Sequence, residues 1–118
     1  MSKPGSREEK AAAEFLRRRG YRILGMNYRC PAGEIDIIAG EKGVICFVEV
    51  KSRNSDACGS PAETVTPAKK RRLCRAAACY LASAGWSEKA ARFDVVTVLD
   101  PGGDPEWELF RDAFECEE

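Results

Sequence analysis

The spacing of apolar residues near the start of the chain predicts a first helix. Ser6 and Glu9 fit a capping box, in which each side chain bonds to the backbone amide of the other residue. Gly20 is well placed to end the helix. Between them runs an apolar stripe at helical spacing, formed by Ala12, Phe15 and Leu16.

Three extended segments are predicted next, separated by turns at Pro31–Gly33 and Gly40–Gly43. The first covers Tyr21–Arg29 and the second covers Glu34–Ala39. The third, Val44–Lys51, is apolar at nearly every position. Because a strand that is apolar on both faces is usually central in its sheet, we expect this segment to be a central strand.

The second half of the chain predicts a helix followed by one or two strands. Thr66 before a proline is typical of a helix N-cap, so a helix is expected over Pro67–Ser83, with Gly85 as its stop. A strand follows at Arg92–Leu99, and Glu106–Phe110 is a candidate edge strand after a turn. The predicted order of elements is αβββαβ, with an optional last strand.

Composition then limits the chemistry. The 118 residues are 44% hydrophobic and 32% charged, which suits one globular domain spanning residues 1–118. The sequence contains no histidine, which excludes Ser-His-Asp and Cys-His catalysis and histidine-containing zinc sites. Acid, base or metal chemistry must therefore come from carboxylates, lysine, tyrosine or cysteine.

The net charge of zero hides an uneven distribution. Residues 1–92 carry eighteen Lys and Arg against ten Asp and Glu, a net charge of +8. Residues 93–118 carry one Arg against nine acids, a net charge of −8. The asymmetry favours a basic binding surface on the main body. The alternative is that both sets of charges simply face solvent.

Six cysteines leave two alternatives open: a disulfide framework or reduced, buried side chains. The first residues lack the apolar stretch of a signal peptide, and no Cys-X-X-Cys pair occurs. We therefore expect a cytoplasmic protein whose cysteines are mostly buried and reduced. The apolar run Val44–Val48 is too short to span a bilayer, so no membrane partner is expected.

Charged residues inside the apolar strands are the candidates for chemistry. Strand alternation places Glu34 and Asp36 on one face, with the isoleucines of the same segment on the other. Glu49 and Lys51 likewise share a face of the next strand. Because a tight loop joins the two strands, they are expected to pair as antiparallel neighbours. Asp36 and Glu49 would then lie close enough to bind one ion.

Two carboxylates and a main-chain carbonyl such as that of Val50 are ligands that Mg²⁺ prefers, with Mn²⁺ expected to substitute. Such an ion would polarise a phosphoryl oxygen and lower the pKa of a bound water, which Lys51 could orient. The alternative is that Glu49 and Lys51 form an exposed pair where the strand meets solvent, and that Asp36 is an ordinary polar residue at a strand end.

Several segments together resemble the YraN family of small bacterial proteins, over about Gly5–Phe114. They are GEIDIIA at Gly33–Ala39, FVEVKSR at Phe47–Arg53, Gly59–Pro61, Lys69 and RFDVV at Arg92–Val96. That family is itself similar to PD-(D/E)xK nucleases, the restriction-endonuclease-like superfamily that includes archaeal Holliday-junction resolvases. The resemblance implies an α/β fold with an αβββαβ core, in which helices flank a mixed central sheet.

The same resemblance implies roles for individual residues. Asp36 and Glu49 match the two metal carboxylates, and Lys51 matches the catalytic lysine. Glu9 matches a further carboxylate of resolvase-like members, although the capping box explains it equally well. Lys69 falls where related nucleases often place an extra polar or basic residue, but the simpler interpretation is an ordinary solvated helix residue.

A basic segment on the second helix is the natural phosphate-contacting surface, together with Arg17–Arg19 on the first helix. The candidate nucleic-acid contacts are Lys69, Lys70, Arg71, Arg72, Arg75 and Arg53. The alternative is again a solvated helix face.

Three functions remain as hypotheses. The first is a Mg²⁺-dependent nuclease that hydrolyses phosphodiester bonds in nucleic acid, with DNA favoured over RNA and branched or damaged DNA as candidate substrates. The second is an accessory protein that binds nucleic acid with the same fold but does not cleave it. The third is a protein-interaction module that uses the acidic end. A homodimer would suit the first, because cutting two strands requires two sites.

Overall fold

A computed structural model of the chain describes residues 7–53, 65–99 and 103–116. The elements, in chain order, are α1 (Arg7–Arg18), β1 (Arg22–Cys30), β2 (Gly33–Glu41), β3 (Val44–Arg53), α2 (Pro67–Ala84), β4 (Ala91–Leu99) and β5 (Glu106–Phe114). This order confirms the predicted αβββαβ pattern, with the optional last strand present. The proposed N-cap Ser6 and the motif at Gly59–Pro61 lie outside the described residues.

The five strands form one mixed sheet in the order β1-β2-β3-β4-β5. Strands β3 and β4 are parallel, and the other three neighbouring pairs are antiparallel. The central position of β3 confirms what its apolar sequence predicted. Strand β5 is an edge strand, as expected, but it continues to Phe114 rather than ending at Phe110.

Local sequence signals explain where the elements begin and end. Lys42 and Gly43, with φ of 52° and 81°, form the two-residue turn between β2 and β3. The Thr66 hydroxyl accepts a hydrogen bond from the Lys69 amide at 3.1 Å and so caps α2. Gly85, with φ of 75°, ends this helix in the left-handed conformation.

The two helices cover opposite faces of the sheet. One buried cluster joins α1 to the sheet and contains Ala12, Leu16, Ile37, Cys46, Val48 and Val96. The other joins α2 to the sheet and contains Leu73, Ala76, Ile35, Ile38, Phe47 and Val95. Helices on both faces of a mixed sheet are the architecture that the family resemblance implied. Among the described residues, neither helix has both the length and the apolar character needed to cross a membrane.

The alternation of side chains along β2 is broken at Asp36. Ile35 packs in the cluster on the α2 face, whereas Ile37 packs in the cluster on the α1 face. Ile38 then returns to the α2 face. The prediction that the two isoleucines flanking Asp36 share a face was therefore wrong, because it assumed a regular strand.

The neighbouring strand β1 breaks its alternation at the matching position. Asn27 lies opposite Asp36, between the paired positions Met26–Ile37 and Tyr28–Ile35. Its φ of 53° is left-handed, which Asn tolerates better than most residues. Met26 and Tyr28 accordingly pack against opposite clusters. In both strands, the two side chains that flank this position therefore point to opposite faces of the sheet. We call this the exchange of faces at Asn27 and Asp36.

A network of charged groups joins the strands near the β2–β3 turn. Asp94 is fully buried and accepts hydrogen bonds from the Tyr21 hydroxyl at 2.7 Å and from Arg92 Nε at 2.9 Å. Arg92 and Arg111 both donate to Glu41, at 2.6 and 2.9 Å. These hydrogen bonds lower the pKa of Glu41 to about 2. Each buried charge here has an opposite charge beside it.

Among the described cysteines, one pair is bonded. Cys74 of α2 forms a disulfide with Cys116, which follows β5, with 5.9 Å between the Cα atoms. The expectation of mostly reduced cysteines was wrong for this pair. Cys46 is free and buried, and Cys30 and Cys79 are free and half-buried. Cys58, the sixth, lies outside the described residues.

Reduction of the Cys74–Cys116 disulfide is expected to destabilise the protein by about 2–4 kcal/mol. The reason is that the bond joins residues 42 positions apart and so reduces the number of conformations open to the unfolded chain. Urea unfolding with and without a dithiol reductant measures this. The Cys74→Ser variant should be equally destabilised and insensitive to the reductant. Cys79→Ser, on the same helix, is the control that should keep its sensitivity. Equal stability with and without reductant would contradict the expectation.

Candidate functional site

The candidate site lies in the second half of β3, where β2 and β3 separate. Their pairing ends at Ile37 and Val48, and Asp36 and Glu49 are the next positions outward. There the Asp36 Oδ2 atom accepts a hydrogen bond from the Val50 amide at 2.9 Å. The strand pairing thus brings the two predicted carboxylates together, with the Asp36 side chain binding a main-chain amide beyond the last paired residues.

Glu49 is almost completely buried, with 5% of the residue exposed. Its Oε2 atom is 3.3 Å from the Lys69 ammonium. Its Oε1 atom is buried and has no hydrogen-bond partner among the described residues. A buried carboxylate oxygen without a partner is costly, so this group requires a further explanation. The burial also contradicts the alternative in which Glu49 and Lys51 form an exposed pair at the strand end.

The ionisation of Asp36 is opposed by its surroundings. Burial raises its pKa most, and repulsion by Glu49 and by Glu9 raises it further. The hydrogen bond from the Val50 amide lowers the pKa, but the net effect is a value of about 8. The raised pKa of Asp36 therefore reflects burial first and the neighbouring carboxylates second.

Glu9 reaches the site from α1. It is 3% exposed, and its Oε1 atom accepts a hydrogen bond from Asn27 Nδ2 at 2.7 Å. Because Asn27 lies opposite Asp36, this hydrogen bond brings Glu9 near the carboxylate pair. The structure therefore brings Glu9 towards the position that the family resemblance implied. Its proposed capping partner, Ser6, lies outside the described residues.

Asn27 is a site residue that was not predicted from the sequence. The pairing of β1 with β2 places it opposite Asp36, its φ is positive, and its amide group donates a hydrogen bond to Glu9. A polar Asn inside a predicted strand was the one available signal, because Asn is among the few residues that adopt the left-handed conformation readily.

Lys69 lies at the site rather than on an independent solvated face. Thr66 caps α2 through the Lys69 amide, and this places the lysine in the first turn. Its side chain is 36% exposed, yet its ammonium lies 3.3 Å from Glu49. The simpler interpretation from sequence, a solvated helix residue, is therefore wrong.

Lys51 is half-buried near the end of β3. It lies opposite Thr97 of β4, two residues after Glu49 and on the same face of the strand by alternation. The Thr97 hydroxyl is buried and has no hydrogen-bond partner in the described part of the chain. This end of β3 thus combines a lysine with buried oxygen atoms.

The basic residues of α2 divide into two groups. Arg71, Arg72 and Arg75 are exposed. Lys70 is half-buried, and its ammonium lies 5.4 Å from the centre of the Phe114 ring. Arg53 is the last residue of β3, and its side chain lies outside the described part of the structure.

The arginines at the end of α1 do not lie on the same surface as the basic residues of α2. Helix α1 begins beside the site, where Glu8 accepts a hydrogen bond from the Ser52 hydroxyl at 2.9 Å. Arg17–Arg19 follow at the other end of the helix, which packs on the face of the sheet opposite α2. Arg17 contacts Glu14 at 3.3 Å, and Arg19 lies over the ring of Phe15. The expectation of one shared basic surface was wrong.

The donor atoms suit a hard divalent cation. Asp36 and Glu49 supply carboxylate oxygens, the type of ligand that Mg²⁺ and Mn²⁺ prefer. Burial and the neighbouring carboxylates raise the pKa of Asp36, and the Glu49 Oε1 atom has no hydrogen-bond partner among the described residues. Within the described ranges, no three acidic or thiol side chains group closely enough to form a metal cluster by themselves. Main-chain or water oxygens would therefore have to complete the coordination, and the carbonyl of Val50 remains the predicted one.

Replacing Asp36 by Asn is expected to stabilise the metal-free protein at pH 8 but not at pH 4. Between pH 4 and 8 the folded state keeps a proton on Asp36 that the unfolded state has lost, so stability falls as the pH rises. Asn cannot ionise and can still accept from Val50. Urea unfolding in EDTA should show a gain of about 1 kcal/mol or more at pH 8, equivalent to one pKa unit. Asp104→Asn, at an exposed position, is the control. An equal effect of Asp36→Asn at both pH values would contradict the assignment.

Comparison with other proteins places the chain among known relatives. Residues 8–98 match the model of the Uncharacterised protein family UPF0102. The chain is 48% identical over 112 residues to a UPF0102 protein of Desulfosudis oleivorans, covering 95% of this chain and 89% of that protein. It is 53% identical over 100 residues to a UPF0102 protein of Symbiobacterium thermophilum, covering 85% of this chain and 84% of that protein. The chain therefore belongs to the UPF0102 family, the YraN family that its GEID and FVEVK segments resemble.

Proposed function

We propose that this protein is a metal-dependent endonuclease that hydrolyses phosphodiester bonds in DNA. The observation that carries the proposal is the convergence of two largely buried carboxylates, Asp36 and Glu49, where β2 and the central strand separate, with one ammonium, that of Lys69, in contact with Glu49. Perturbed carboxylates of this kind are typical of functional sites. Branched or damaged DNA is the substrate class that we propose.

Asp36 and Glu49 would hold the divalent cation, with Mg²⁺ as the proposed ion and Mn²⁺ as its substitute. When bound, the ion would supply Lewis-acid polarisation of a phosphoryl oxygen and a lower pKa for a bound water. The Val50 amide fixes the orientation of Asp36 through its 2.9 Å hydrogen bond. Glu9, held by Asn27, would add negative charge near the ion and orient its waters.

Lys51 is the proposed catalytic lysine. It lies on the same strand face as Glu49, two residues farther along β3. An ammonium at this position would orient the attacking water and offset the charge that develops on the phosphate oxygens. This arrangement needs no histidine, in agreement with the composition of the chain.

Exposed arginines of α2 are the proposed contacts to the DNA backbone. Arg71, Arg72 and Arg75 follow Lys69 on the helix whose first turn contacts Glu49. Positive charge at this position would draw phosphates towards the carboxylates. Such contacts bind the backbone without reading the bases, so recognition would depend on the shape of the DNA.

The second candidate function is a protein that binds nucleic acid but does not cleave it. One observation favours it specifically: Lys69 already contacts Glu49, and the described residues form no cluster of three metal-ligating side chains. A carboxylate that is permanently paired with a lysine would not be available to a metal ion.

Cleavage of nicked and branched DNA by the purified protein in Mg²⁺ or Mn²⁺ tests the first function. Asp36→Asn and Glu49→Gln should each lower the cleavage rate by about a hundredfold or more, because each removes charge that holds the ion. Asp104→Asn, which changes an exposed carboxylate, should cleave as the wild type does. Circular dichroism of every variant verifies that the fold is retained.

The same assay separates the two functions. If no substrate is cleaved with either metal while DNA binding persists in Asp36→Asn, the non-cleaving function is supported. If cleavage survives both carboxylate substitutions, the assignment of the site is incorrect.

Binding to DNA should depend on the exposed arginines of α2. Replacing Arg71, Arg72 and Arg75 together by Ala should weaken binding, and the slope of log affinity against log salt should become shallower by about 0.9 for each phosphate that is no longer neutralised. Replacing Arg17, Arg18 and Arg19 together by Ala is the matched control, because it also removes three charges and α1 packs on the opposite face of the sheet. Fluorescence anisotropy over a range of salt concentrations measures both effects. Equal weakening in the two variants would contradict a binding surface on α2.

A further inference from the structure

We propose that the Lys69 ammonium is the resident counter-ion of Glu49 and that a divalent cation displaces it on binding. The inference rests on the proposed function, because it concerns the same carboxylate. In this proposal Lys69 regulates how readily the cation reaches Glu49. It also resolves the conflict between the Lys69–Glu49 ion pair and a metal-binding role for Glu49.

The main chain of Lys69 is fixed, whereas its side chain is long and has many rotamers. The amide of Lys69 is bound by the Thr66 hydroxyl at 3.1 Å, in the cap of an 18-residue helix. The ammonium is separated from this fixed point by four methylene groups with rotatable bonds. Movement of the ammonium therefore requires only a change of side-chain rotamer and leaves α2 in place.

The contact itself is loose. At 3.3 Å it is longer than the 2.7–2.9 Å that is usual for a charge-assisted hydrogen bond. The lysine side chain is 36% exposed, whereas the Glu49 side chain is 6% exposed. Water can therefore solvate the ammonium when it leaves, but it reaches the carboxylate poorly. The pair therefore consists of a buried carboxylate and an ammonium that is easily released.

Lys69 also neutralises the site incompletely. Its ammonium contacts Oε2 of Glu49, and Oε1 has no hydrogen-bond partner among the described residues. One ammonium thus balances part of the charge that the carboxylates would carry. A divalent cation could contact oxygens of both residues and would carry twice the charge.

A divalent cation and the ammonium would repel one another across the same carboxylate. Lys69 would then be released towards solvent on the helix that also carries Arg71 and Arg72. There the ammonium could bind a phosphate oxygen of the substrate, since lysine binds phosphate as a point charge. Occupation of the metal site would in this way add a positive charge to the proposed DNA surface.

Isothermal calorimetry of Mn²⁺ binding to Lys69 variants tests whether the cation exchanges with the Lys69 ammonium. Lys69→Met, which lacks the competing charge, should bind Mn²⁺ about fivefold more tightly or better. Lys69→Arg should bind it more weakly, because a guanidinium can contact both carboxylate oxygens of Glu49. Lys70→Met is the matched control, because Lys70 lies over Phe114, and it should retain the wild-type affinity.

A second measurement uses the wild-type chain and does not depend on the folding of a variant. The Lys69 amine should react faster with an acylating reagent after Mn²⁺ is added, because a released amine is more accessible than a paired one. Peptide mass spectrometry quantifies the modification, with Lys70 as the internal reference.

The outcomes separate this inference from the proposed function. If wild-type protein binds Mn²⁺ and cleaves DNA but Lys69→Met has unchanged or weaker affinity, the exchange is refuted and the nuclease remains. If Mn²⁺ binds while the reactivity of Lys69 stays constant, the exchange is likewise refuted. If neither the wild type nor Lys69→Met binds Mn²⁺, the exchange and the metal-dependent function fall together.

Discussion

The exchange of faces at Asn27 and Asp36 is the constraint on which the candidate site depends. It occurs in two adjacent strands at the same level, where the pairing of β2 with β3 also ends. Glu9 approaches this level from α1, which covers one face of the sheet. Glu49 is contacted by Lys69 of α2, which covers the other face. The irregularity therefore lies at the level of the sheet where Glu9 of α1 and Lys69 of α2 can both reach the pair Asp36 and Glu49.

Carboxyl groups behave in opposite ways at two positions of β2, Asp36 in its middle and Glu41 at its end. Glu41 is bound by two arginines, and its pKa falls to about 2. Asp36 is surrounded by other acids, and its pKa rises to about 8. Burial opposes ionisation in both cases, but it is the largest influence only at Asp36, where no arginine offsets it. Charge is thus balanced by two arginines at Glu41 and only partly balanced, by Lys69, beside Asp36, where an external cation would serve.

Local patterns predicted the order of the elements, the central position of β3 and the ends of α2, because caps, turns and apolar runs act within a few residues. The proximity of Asp36 and Glu49 also followed from a tight turn and antiparallel pairing. Other features are set by three-dimensional arrangement and were missed. The contact of Lys69 with Glu49 depends on how α2 crosses the sheet, and the Cys74–Cys116 bond joins residues 42 positions apart.

The left-handed conformation of Asn27 also affects how this sheet meets other chains. Strand β1 is an edge of the sheet, and so is β5, where Asp112 has a φ of 53° as well. An edge strand normally offers a row of unpaired amide and carbonyl groups that can recruit a foreign strand. Here each edge is interrupted by a kinked residue, which leaves only short regular stretches. Intermolecular extension of the sheet, the usual first step of strand-mediated aggregation, is thereby disfavoured on both sides of the molecule.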